Sequence, residues 1–186
     1  MKSINIKPIQ QLFALFLLAL TLFSLGCKKI DKLTQFNMEF DNSITIPSST
    51  LINLPVSFTT PERRTESEST FEANDTRKDL IEEIKLTDLR LSITSPNDGD
   101  FDFLESVEVF LDADGLQEKR IAWKEDIPSN QSKNITLVAT NSDLKEFIKK
   151  DKFTLRVSTV MDETLSSDFE LNIHSNFFVD AKILGQ

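Results

Sequence analysis

Alternation of apolar and polar side chains with a period of two constrains this chain more than any other feature of its sequence. Leu89, Leu91 and Ile93 alternate with Arg90, Ser92 and Thr94, and Val107, Val109 and Leu111 alternate with Glu108, Phe110 and Asp112. Phe153, Leu155 and Val157 alternate with Thr154, Arg156 and Ser158, and Phe169, Leu171 and Ile173 with Glu170, Asn172 and His174. A helix would scatter these apolar side chains around its axis; a half-buried strand puts them on one face. Further strands are expected at Phe36–Phe40, Leu54–Phe58, Lys119–Trp123, Ile135–Ala139 and Phe177–Ile183. About nine short strands separated by turn-forming clusters make an all-β antiparallel fold, a two-sheet β-sandwich.

Two short helices are expected to interrupt the strands. Thr76–Lys85 carries Leu80, Ile81 and Ile84 on one stripe behind Asp75 or Thr76 as cap, and Asn141–Lys150 carries Leu144, Phe147 and Ile148. The second ends in Lys149 and Lys150, which suit a helix C-terminus. The polar stretch 60–72 reads as a loop.

The N-terminus reads as an address rather than as structure. Lys2 and Lys7 precede an uncharged run from Leu12 to Leu25. A bilayer-spanning helix needs about 20 apolar residues, so this shorter run fits the apolar core of a signal peptide. Ser24-Leu25-Gly26-Cys27 follows and holds the only cysteine of the chain. This motif resembles the lipobox of bacterial lipoproteins, although Ser24 and Leu25 stand where the commonest pattern has leucine and then a small residue. The resemblance implies cleavage after residue 26, acylation of the Cys27 thiol and a tether over 27–34. One sandwich domain is then expected over 35–184. Each buried methylene of the acyl chains contributes about 0.8 kcal/mol, so several chains together make a lasting membrane anchor. Lys28 and Lys29 stand where an inner-membrane retention signal has Asp, which by the same resemblance implies the outer membrane. With no acidic export tract, the periplasmic side is expected and the cell surface is the alternative.

The run Leu89-Arg90-Leu91-Ser92-Ile93-Thr94-Ser95-Pro96, then Phe101-Asp102-Phe103-Leu104 and Phe153-Thr154-Leu155-Arg156-Val157, resembles uncharacterised Gram-negative lipoproteins with Ig-like sandwich domains. That resemblance implies an Ig-like sandwich and an envelope address, and carries no catalytic motif.

Composition closes several routes to function. Without residues 1–26 the chain holds 19 Lys plus Arg against 30 Asp plus Glu, a net charge of −11. No basic patch in the sequence offsets this, so nucleic acid is not expected as a partner. One cysteine and one histidine rule out an intrachain disulfide, a thiolate-rich metal site and a His-pair site. Four glycines form no phosphate loop. No cofactor is expected.

The candidate residues are few. His174 is the one histidine, set with Glu170 and Asn172 on the wet face of a strand, and reads as a surface residue. The loop Asn97-Asp98-Gly99-Asp100-Phe101-Asp102 spaces Asp98, Asp100 and Asp102 as oxygen ligands for Ca²⁺, but position 109 is Val where an EF-hand has its bidentate Glu. If strands run up and down, this loop shares an end with Glu125, Asp126, Asp162 and Glu163, whereas Asp112 and Asp114 lie at the other end. The bland reading is a solvated turn. No tyrosine and a single Trp123 leave little for a sugar platform. Phe110 and Phe178 fall out of phase with their neighbours and are expected to be buried.

These features imply a non-enzymatic, lipid-anchored binding or assembly module of the envelope. Its partners are the membrane, through lipid on Cys27, and an envelope protein or glycan. The alternatives are a carbohydrate-binding accessory lipoprotein and a Ca²⁺-dependent envelope hydrolase using Asp98–Asp102.

Overall fold

The structure, a computed structural model, describes residues 34–129 and 132–182; the 1–26 leader, Cys27 and the end of the expected domain at 183–184 lie outside them. The strands are β1 (Gln35–Ile46), β2 (Val56–Thr59), β3 (Arg63–Arg64), β4 (Ile81–Ser95), β5 (Leu104–Asp112), β6 (Lys119–Lys124), β7 (Asn134–Thr136), β8 (Val138–Ala139), β9 (Lys152–Met161) and β10 (Phe169–Ala181). Two short helices accompany them, α1 (Ser67–Ala73) and α2 (Lys145–Ile148).

The strands form two antiparallel sheets, ordered β1-β10-β4-β7 and β2-β9-β5-β6-β8, with β3 also pairing β9. This is the all-β two-sheet sandwich that the alternation predicts. Its strand order is not the immunoglobulin-like wiring that the resemblance implies. β1 and β2 together run antiparallel to β10 and β9, and β4 and β5 follow on the other side of the same pair. A long ribbon is thereby folded across both sheets, the double Greek key of a jelly roll.

Alternation places one side chain of every pair in the space between the sheets. There Phe40 meets Phe153 and Phe177 edge to face, at centroid distances of 5.1 and 5.7 Å. Phe103 packs on Phe169 at 5.0 Å and on Phe101 at 6.1 Å, closing the end of the sandwich at which β1 stops. Each such ring, moved from water to core, contributes about 1.5–3 kcal/mol.

The helix expected over Thr76–Lys85 is not there. Lys78–Leu80 is a single 3-10 turn, and Ile81 opens the fifteen-residue β4. The buried positions Ile81, Ile84, Leu86 and Leu89 are spaced by three, two and three because β4 is bulged against β10 beside Ala181 and Phe177. An extra residue at each bulge mimics helical spacing. The polar stretch 60–72 instead contains β3 and α1. The second expected helix shrinks to one turn at Lys145–Ile148.

The strands expected at Phe169–His174 and Phe177–Ile183 are one strand, β10, whose burial alternates without a break from Phe169 to Ala181. That phase puts Phe177 inside and Phe178 outside. Phe110 likewise stands half-exposed on the outer face, so the expectation that both are buried is corrected.

The two long sides of the sandwich differ. On one, residues 133–140 cross from sheet to sheet: Lys133 and Leu137 bond to Ile93 and Leu89 of β4 at 2.9 Å each, and Thr140 bonds to Ile121 of β6 at 2.7 Å. The expected strand Ile135–Ala139 is therefore divided at the buried Leu137, half in each sheet. On the other side β1 faces β2 and β3 as a seam between the sheets.

Candidate functional site

The loop carrying Asp98, Asp100 and Asp102 is organised by its aromatic residues. Phe101 and Phe103 are buried, while Asp98 and Asp100 point to solvent. Asp100 Oδ1 accepts the N–H of Asp102 at 3.1 Å, a local turn bond. Gly99 serves space rather than torsion: its φ is not positive, and a Cβ there would stand 2.8 Å from the Phe169 ring. The loop does share an end with Asp162, whose N–H reaches Phe103 O at 3.2 Å, and with the 125–127 turn, where Ile127 bonds to Glu105 O. Even so, among the described residues no three His, Cys, Asp or Glu side chains are gathered as a metal-binding group.

His174 lies half-exposed on the outer face of the four-stranded sheet. Its Nδ1 stands 3.1 Å from Asp41 Oδ1 on β1, and Asn172 Nδ2 donates to the same oxygen at 3.0 Å. The Asn172 bond, then His174, holds the Asp41 carboxyl below the usual carboxylate range, with a small contribution from Arg63. Opposite His174 in register stands Arg90, and the neighbouring Ser175 turns inward to donate to Phe40 O at 3.3 Å. The Asp-His pair thus has neighbours that make a polar surface rather than a nucleophile's setting. Sequence alone hides this cluster, because it depends on the register of three strands.

Two of the aromatic groups on the outer faces, Phe110 and Trp123, are covered by arginines. Arg156 lies 4.0 Å over Phe110 and holds Glu118 through two bonds of 2.8 and 2.6 Å, with a third to Ser57 at 3.2 Å. Those bonds raise the Arg156 pKa and lower that of Glu118. Arg120 sits 5.0 Å over Trp123 and pairs with Glu108. Rings capped in this way are not bare stacking platforms.

The concave surface collects instead along the open seam and the helix beside it. A recess of ≈ 190 Å³ lies between Asn37–Phe40 of β1 and Arg63–Glu66. A wider, open cleft of ≈ 700 Å³ adjoins it, between α1 and Lys152. Its floor is built by Thr65, which is buried, bonds through N–H to Asp151 O at 3.0 Å and donates its hydroxyl to Lys150 O at 2.5 Å. Glu66 then takes a left-handed φ of 48° to start α1. Arg63 and Arg64 are exposed on the rim, and Lys152 pairs with Glu62 at 2.6 Å. Sequence reasoning passed over this region because 60–72 shows charge without period.

The two hollows are open, and charged side chains line both, Arg64 and Glu66 in each, with Arg63 and Glu39 in the smaller and Lys152 and Asp151 in the larger. A scan against protein-family models and a search of curated proteins each find no match for the chain. The fold and the site therefore define the class to which it belongs: a two-sheet antiparallel sandwich with one closed and one open long side.

Proposed function

We propose that this chain is a lipid-anchored, non-enzymatic binding or assembly module of the Gram-negative outer membrane, facing the periplasm. The observation that carries the reading is Cys27, the only thiol of the chain, separated only by Gly26 from the uncharged Leu12–Leu25 run and placed eight residues before β1 begins at Gln35. A thioether at that sulfur would hold the Gln35 end of the sandwich near the membrane. The 97–102 loop, the 125–127 turn and Asp162, at the other end, would then point into the periplasm. In this reading attachment is through the lipid on Cys27; no described helix is long and apolar enough to cross a membrane. The capped aromatics weigh against the sugar-binding alternative. Metabolic labelling with a fatty-acid analogue tests the anchor: wild type should carry the label and enter the detergent phase, and Cys27→Ser should do neither. An unlabelled wild type ends the reading.

A further inference from the structure

We infer that the free edge of β1 is a docking site for an extended strand of a partner polypeptide, basic at alternate residues, which joins the four-stranded sheet through main-chain hydrogen bonds. The inference rests on the binding-module reading and names its site; it does not depend on Cys27.

Among the described residues, β1, twelve residues long, pairs on one side only, with β10, without a single register shift. Alternate residues of an edge strand direct N–H and C=O groups away from the sheet, a template for another strand. Edges are commonly guarded by proline, lysine, bulges or short length. β1 has none of these between Gln35 and Ile46; its guards are the two acids Glu39 and Asp41, and α1 covers only its first residues, through Phe71 on Phe36 at 6.1 Å. The remaining edges do: β7 and β8 are three and two residues long, and the four-residue β2 lies between Pro55 and Pro61 and is followed by Arg63 and Arg64.

Two further observations lie on the same strand. Open space of ≈ 190 Å³ borders Asn37–Phe40. Asn42 faces inward at 7 % exposure, and its Nδ2 has no hydrogen-bond partner among the described residues. A buried amide donor left unpaired is costly, and an added strand brings carbonyl acceptors to this seam.

Charge selects the occupant. In a second copy pairing antiparallel, the central registers that keep inner faces together would set Glu39 opposite Asp41, or Asp41 opposite Asp41. Like charges directly opposed are destabilising. Glu39 is exposed and has no ion-pair partner among the described residues, whereas Asp41 already feels Arg63. A partner with Lys or Arg on the outer phase would meet Glu39 and Asp41, with Glu66 beyond them and Arg63 and Arg64 on the facing wall of the recess. Its alternate, apolar residues would turn inward toward Phe36, which is only partly buried.

The test uses the full chain in detergent and a fluorescein-labelled octapeptide of alternating lysine and valine. Anisotropy should report saturable binding, and hydrogen exchange should slow within 35–46. Glu39→Lys/Asp41→Lys should raise Kd at least tenfold. The same octapeptide N-methylated at alternate residues keeps its charge, loses strand hydrogen bonding and should not bind; this arm needs no variant to fold. Equal binding of the methylated peptide, protection confined to the acidic loops at the Ile46 end, or no binding at millimolar peptide each overturns the inference. So does a concentration-dependent dimer that protects β1 without peptide, which would assign the edge to self-pairing. Lipid labelling of Cys27 is read separately, so either result stands without the other.

Discussion

Gly99 and Phe169 meet with no space for a methyl group between them: a Cβ on Gly99 would stand 2.8 Å from the ring, 3.2 Å from Pro96 O and 3.3 Å from Ile93. The Phe169 ring cannot retreat freely, because Phe103 packs on it at 5.0 Å. Gly99→Ala should therefore cost about 1–3 kcal/mol, the range for overpacking. Thermal denaturation should show a melting temperature lower by several degrees, while Asp98→Ala, at an exposed position, should leave it unchanged.

Phe153 holds the opposite half of the core. It is 1 % exposed and stands edge-on to Phe40, joining the two sheets. Phe153→Ala should cost about 3–5 kcal/mol. Urea titration should show the midpoint falling with the slope unchanged, and Phe153→Leu should recover most of the loss.

Asp143 ties α2 to the start of β4. Burial alone would raise its pKa, but the N–H groups of Lys145 and Ile84, at 3.0 and 3.2 Å, and the Lys145 ammonium together hold it below the ordinary value. A lowered folded pKa means that the unfolded chain binds protons first as pH falls. The stabilisation is then complete above about pH 4–5 and is lost as pH drops through the lowered value. Asp143→Ala should cost about 1–2 kcal/mol at pH 7, discounted for partial exposure. Asp143→Asn should lose less, and its melting temperature should converge on wild type in acid.

Arg156 combines a two-pronged grip on Glu118 with a stack on Phe110. Lysine keeps the charge but neither the fork nor the plane. Arg156→Lys should cost about 1 kcal/mol, read as a shift in chemical denaturation midpoint that 1 M salt only partly erases.

The fold was legible where one strand face is wet and the other dry. β9, β10 and the part of β5 from Val107 onward keep strict alternation, and their inner residues are the ones the pattern marks. It was illegible where β4 bulges, since Ile81, Ile84, Leu86 and Leu89 copy a helical stripe. α1 escaped because it buries only Ser67 and Phe71, too little for any periodic signal. The open seam could not be foreseen either: whether β1 is central or an edge depends on pairing partners more than a hundred residues away, on which local composition is silent.

The pairing of β1 with β10 also sets an order of events for the newborn chain. Gln35 pairs with Asp180 and Ile46 with Phe169, so every bond of that ladder closes a loop of 123 to 145 residues. Loops of that size close late, after local contacts have formed. β1 emerges from the ribosome first among the described strands and waits for the last. β2 waits similarly for β9. Until then the N-terminal third has no sheet to join, a condition that leaves it exposed to chaperones and proteases meanwhile.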